Sequence, residues 1–201
     1  MFSSFDIADA VPSLADRVGD HVPDLNVASG KLLSIWLPAL PAPPAGWMIA
    51  QVATVPTPTR LVLCRNVSGS TWNGCGVLNL FTFTGPVPTD VIETDICSTL
   101  RSVGAESLRS RPLAMPSRHG LRVTAGSAAG EFALGGQRLR SQYTAYLIQR
   151  TSAKLDDQIS DNRGALVEHN LFTAAGADTR AYRDLIDMDG AVYTALKQAV
   201  S

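Results

Sequence analysis

The sequence predicts an α+β fold, an antiparallel β-sheet flanked by helices. Segments with a two-residue apolar period follow one another, separated by short Pro- and Gly-rich breaks. Gly135 and Gly136 join two of these segments. Consecutive glycines suit a tight hairpin, because both turn positions can take positive φ. Long helical patterns are few and come late, whereas a parallel βαβ fold would interleave them with the strands.

Taken in order, residues 1–28 read as an arm with a short helix, and residues 29–201 as one α+β domain. In the arm, Ser13 is placed to cap a helix over Leu14 to Val18, and Gly19 to end it. Lys31 to Leu40 alternates as a strand, with Pro38 confining it to an edge or an end. Pro41 to Gly46 turns the chain into the next strand, Trp47 to Val55. A strand from Arg60 to Val67 follows. Ser68 to Gly76 reads as a loop that puts Trp72 at its tip, and Val77 to Thr84 is an aromatic, β-branched strand. A helix is expected over Asp90 to Val103, with Asp90 and Glu93 as a variant capping box and Gly104 as the stop. Ala105 to Pro116 reads as irregular and basic.

Gly120 to Ala125 is a short strand leading into the hairpin at Ala128 to Gln149. On the return arm, Leu139, Ser141, Tyr143, Ala145 and Leu147 share one face, and Arg138, Arg140, Gln142, Thr144, Tyr146 and Ile148 share the other. After a polar loop, Ala165 to Thr173 forms the last strand. A final helix runs from near Asp178 to about Ala199, with Tyr182, Leu185 or Ile186, Val192 or Tyr193, Leu196 and Val200 along its apolar side. Asp184, Asp187 and Asp189 read as its wet side.

A chain of 201 residues buries enough surface, roughly 70% of that of the unfolded chain, to hold a core without a metal or a disulfide. A formal net charge of −1 argues against nucleic acid as a partner, because neutralising phosphates needs a basic surplus. No apolar run approaches the ~20 residues of a membrane helix. The first residues lack a basic n-region, a continuous apolar core and a lipid-accepting Cys. That pattern favours the cytoplasm, with the cell envelope or signal-independent export as alternatives.

Chemistry-bearing motifs are missing. There is no phosphate-binding glycine loop, no nucleophile elbow and no zinc-protease helix. His21, His119 and His169 have no ligand spacing, so neither a metal nor a cofactor is expected. Cys64, Cys75 and Cys97 read as small buried hydrophobes, and a Cys64–Cys75 bridge is left open. Asp156 and Asp157 read as solvated charges.

Three blocks carry a resemblance: CGVLNLFTFTGPVPTDVIETDICSTLRSVGA, GEFALGGQRLRSQYTAYLIQ and LVEHNLFTAAGADTRAYRDLI. Their sequence of strand, Thr-Gly turn, helix, glycine-bounded hairpin, strand and last helix resembles the LpqN-type lipoprotein family of actinobacteria. Pro44 to Trp47 matches a Pro-x-Gly-Trp element of such proteins. The similarity covers Lys31 to Leu196. It implies an α/β/α sandwich of the PsbP-like type and a non-catalytic role, with a link to the cell envelope and to protein or lipid binding. The chain departs from the family in lacking the export signal and the lipidated Cys.

Two function classes follow. In the first, the protein binds a protein partner or an apolar, lipid-like ligand through the sheet face and the 68–76 loop. Trp72, Asn73, Arg138 and Arg140 are then the anchors, since Trp and Arg dominate interface energetics. In the second, it is a small enzyme that uses Cys75 and His119 as a thiol and base pair.

Overall fold

Strands pair antiparallel throughout the described part of the chain. The computed structural model describes residues 11–28, 40–51, 58–65, 72–116, 120–150, 163–177 and 179–200. The strands are β1 (Asn26–Val27), β2 (Trp47–Ala50), β3 (Arg60–Arg65), β4 (Trp72–Thr84), β5 (Glu106–Leu113), β6 (Leu121–Leu134), β7 (Gln137–Arg150) and β8 (Arg163–Ala174). In space they run β2-β3-β4-β8-β7-β6-β5, with β1 paired to the far end of β4. The helices are α1 (Leu14–Gly19), α2 (Val91–Asp95), α3 (Ser98–Ser102) and α4 (Thr179–Val200).

The hairpin forms where expected. Gly135 and Gly136 have φ of 58° and 77°, and β6 and β7 pair without a break from Leu134–Gln137 to Leu121–Arg150. β8 then inserts between β4 and β7, so the last strand in sequence is the middle strand of the sheet. That position buries Gly164 to Leu171 on both faces, including the polar run Glu168, His169 and Asn170.

Helices cover both faces. Against one lie α1, α2 and α3, where Leu14, Val18, Ile92, Ile96 and Leu100 pack on Phe83, Tyr143, Ala145, Leu147 and Leu166. Against the other lies α4, where Val192, Ala195, Leu196 and Val200 pack on Leu78, Leu80, Tyr146, Ile148 and Val167. The helix of the N-terminal arm is thus part of the core. Ser13 closes a full capping box with Asp16, and Thr99 Oγ1 accepts the Leu14 N–H at 3.0 Å, tying α1 to α3.

The structure corrects several expectations. Asp90 makes no side-chain cap, and the helix foreseen over Asp90 to Val103 is two short ones that break at Ile96–Cys97. Residues 106–113, read as irregular, are the edge strand β5; its alternation was obscured because nearly every side chain on it is polar or exposed. Trp72 to Gly76, read as loop, begins β4. The strand foreseen at Lys31 to Leu40 lies almost wholly outside the described residues, as do Asp156 and Asp157.

Glu168 stands beneath the first helical layer and is almost wholly buried. Tyr143 Oη donates to its Oε1 at 2.6 Å. Desolvation outweighs that bond and the one to Asn79, and pushes the Glu168 carboxyl up to about 7. The folded pKa lies above the ordinary glutamate value of 4.5, so the stability from keeping Glu168 neutral is present below about pH 4.5 and is lost as pH rises through 7. The expected loss is on the order of 3 kcal/mol. Urea unfolding across this range should show that decline in the wild type and a flatter profile in Glu168→Gln. Parallel profiles for the two proteins would contradict the assignment.

Candidate functional site

α4 is amphipathic, and its sheet-facing stripe runs Ala181, Leu185, Val192, Ala195, Leu196 and Val200. Asp184 falls on the same stripe three residues after Ala181, and Asp189 four after Leu185 and three before Val192. They are therefore not the wet side. Asp184 Oδ2 accepts from Trp47 Nε1 at 2.9 Å. Asp189 reaches down to two strands: Gln142 Nε2 donates to Oδ2 at 2.7 Å, Thr144 Oγ1 to the same oxygen at 3.3 Å, and His169 Nδ1 lies 3.0 Å from Oδ1. Both carboxylate oxygens are engaged. Only Asp187 of the three acids faces solvent.

Outward of this clamp, the first half of α4 packs through Ala181 and Leu185 on Trp47, Val62 and Leu171, and leaves Tyr182 and Ile186 exposed. A cleft of about 420 Å³ opens there. Tyr182, Leu185 and Ile186 form its helix wall; Leu171, Thr173, Ala129 and Gln142 form its sheet wall; and Arg109, Arg140 and Glu131 stand at its outer end. Tyr182 is 52% exposed and Ile186 39%, so these two, expected in the core, flank an opening instead. The volume falls within the ~300–1,000 Å³ of small-molecule sites, and the lining mixes apolar side chains with polar and charged ones.

Of the anchors proposed from sequence, Arg140 lines the cleft, and Arg138 stands beside it through a shared carboxylate. Arg138 Nη2 and Arg140 Nε bond Glu131 at 2.8 and 3.2 Å. Trp72 and Asn73 do not line it. They begin β4 at the same end of the sheet, where Gly74 pairs with Thr173 and Thr173 with Arg140. Trp72 is 42% exposed, and the Arg65 guanidinium lies over its ring at 5.0 Å from the centroid.

The thiol and base pair does not gain a matching environment. Burial pushes the Cys75 thiol up to about 11, the opposite of what a nucleophile needs. His119 lies outside the described residues. The Cys64–Cys75 bridge is excluded by the pleat. Leu63 pairs with Cys75, so Cys64 faces the other side of the sheet, and all three cysteines are thiols. No group of three or more potential metal ligands occurs among the described residues.

Sequence reasoning missed Arg109, because its strand went unrecognised, and Asp189, because an acid on a helix was taken as solvated. The second was recoverable: Leu185, Asp189, Val192 and Leu196 follow the helical period.

No protein-family profile matches the chain, and no curated protein matches it in sequence. Among solved structures, it is similar in fold to the crystal structure of LpqN, a protein involved in cell envelope biogenesis of Mycobacterium tuberculosis. The TM-score is 0.58 at 12% identity, over 91% of this chain and 95% of the other. At that identity the likeness is one of fold. The chain is an α+β protein with a large antiparallel sheet and few helices, consistent with an LpqN-like fold.

Proposed function

We propose that this chain is a non-catalytic binding protein that takes an apolar, lipid-like molecule in the cleft between α4 and the sheet. The cleft itself carries the reading: a volume of about 420 Å³, accessible apolar surface from Ala129, Tyr182 and Ile186, and the polar groups Gln142, Arg109 and Arg140. The likeness to LpqN supports it, since that protein's involvement in cell envelope biogenesis is compatible with a non-catalytic role. None of the described helices is long and apolar enough to cross a membrane.

A protein partner is the second reading. Trp72, Asn73 and Arg138 lie beside the cleft at one end of the sheet, and the exposed Trp72 ring favours contact with a partner there. An enzyme built on Cys75 is disfavoured by the raised pKa of its half-buried thiol.

Two measurements test this. Ala129 is exposed on the sheet wall, so Ala129→Trp fills the cleft without entering the core. Nile red should bind the wild type with an emission rise and bind the variant at least tenfold more weakly. Equal binding would remove the cleft as the site. Iodoacetamide at about pH 8 should modify Cys75 no faster than an ordinary thiol. Rapid modification, with loss of a measurable turnover, would restore the enzyme reading.

A further inference from the structure

We infer that the cleft selects an amphipathic carboxylate, with the acid group held between Arg109 and Arg140 at the mouth and the chain laid along Ala129, Tyr182 and Ile186. This rests on the proposed binding function and names the class of ligand. Arg109, Arg140 and Glu131 line the cleft, Arg138 stands beside it on Glu131, and Glu106 lies opposite Glu131 across the β5–β6 pair. Glu131 engages Arg138 and Arg140. Arg109 has no hydrogen-bond or ion-pair partner among the described residues, so one cation at the mouth is unmatched. Arg140 spends its Nε on Glu131, and its two terminal nitrogens have no partner among the described residues. A planar carboxylate matches the guanidinium fork, and the excess of arginine over carboxylate at this site favours an anionic head.

The backbone is shaped to bring Arg109 there. β5 shifts register against β6 between Glu106 and Arg109. Within that bulge, Ser107 lines the cleft with φ of 53°, the one non-glycine residue with positive φ in the described chain. A bulge re-aims the side chains that follow it. The opposite strand supplies Gly130, where a Cβ would lie 2.8 Å from Leu108 Cδ2 and 3.1 Å from the Glu106 carbonyl oxygen. Only glycine lets the bulge close onto β6 without moving backbone. The polarity runs one way along the cleft. Asp189 holds Gln142 on β7 and repels an anion there, whereas Arg109 stands two strands away on the β5 edge, level with Gln142 through Ala129, and Arg140 lies one step further out on β7. The acid group therefore belongs at the mouth.

The test uses one alkyl chain with three heads: decanoate, decanol and decyltrimethylammonium, each titrated calorimetrically below its micelle concentration. Decanoate is expected to bind about tenfold more tightly than decanol, the low end for a charged hydrogen bond, and the ammonium more weakly than either. Arg109→Gln should bring decanoate to the level of decanol and leave decanol unchanged; circular dichroism confirms that this exposed substitution keeps the fold. Added salt should weaken decanoate alone. Equal affinity for decanoate and decanol, or a preference that survives in Arg109→Gln/Arg140→Gln, overturns the carboxylate inference while the cleft reading stands. Absence of binding by all three, together with Nile red binding indifferent to Ala129→Trp, sinks both.

Discussion

Asp189 is the group on which the arrangement of the last helix depends. Apolar stripes alone position a helix on a sheet loosely, because Leu, Val and Ala accept many registers. A buried carboxylate accepts few. Asp189 meets donors from β7 and β8 at once, so sliding α4 by even one residue strands Gln142, Thr144 and His169 without an acceptor. The clamp sits near the middle of α4. C-terminal to it, the helix packs through Val192, Leu196 and Val200; N-terminal to it, Ala181 and Leu185 pack on Trp47, Val62 and Leu171, while Tyr182 and Ile186 stand partly free beside the cleft. The Asp184–Trp47 bond ties that freer half to the edge strand β2, away from the cleft side.

The middle strand shows the same logic on both faces. Glu168 points into the α1–α3 layer and His169 into the α4 layer, and each is answered by a polar partner from its own side. Buried polar groups of this kind cost stability unless matched. The Tyr146 hydroxyl, like that of Ser141, is unmatched: it is buried, has no hydrogen-bond partner among the described residues, and is held protonated by burial and by nearby Asp189. Two half-polar interlayers give the sandwich a unique register at a cost an all-apolar core would avoid.

How much of this was legible in the sequence depends on which force set each element. The hairpin was readable because Gly135-Gly136 is a local steric signal, and α1 because Ser13 and Asp16 are a local hydrogen-bond signal. The alternation of β7 placed Tyr143 and Tyr146 on their proper faces. What was lost depended on pairing distant in sequence. β5 carries little apolar character because it is an edge strand, so its identity comes from β6 alone. Burial of Glu168 and His169 follows from β8 entering the middle of the sheet, a topological fact with no local mark. The candidate site shares this limit. Arg140 was visible as an arginine on a wet strand face, but Arg109 reaches the same mouth only through the β5 bulge.

The measurement that bears most directly on this account is the unfolding free energy of Asp189→Ala set against Asp187→Ala, by chemical denaturation at neutral pH. Removing the Asp189 carboxylate leaves three donors at a buried interface unanswered and should cost about 3–5 kcal/mol. Asp187, on the solvent side of the same helix, should change stability by less than about 0.5 kcal/mol. If the two variants lose the same small amount, α4 is held by its apolar stripe alone, and the clamp has no part in placing the helix or opening the cleft.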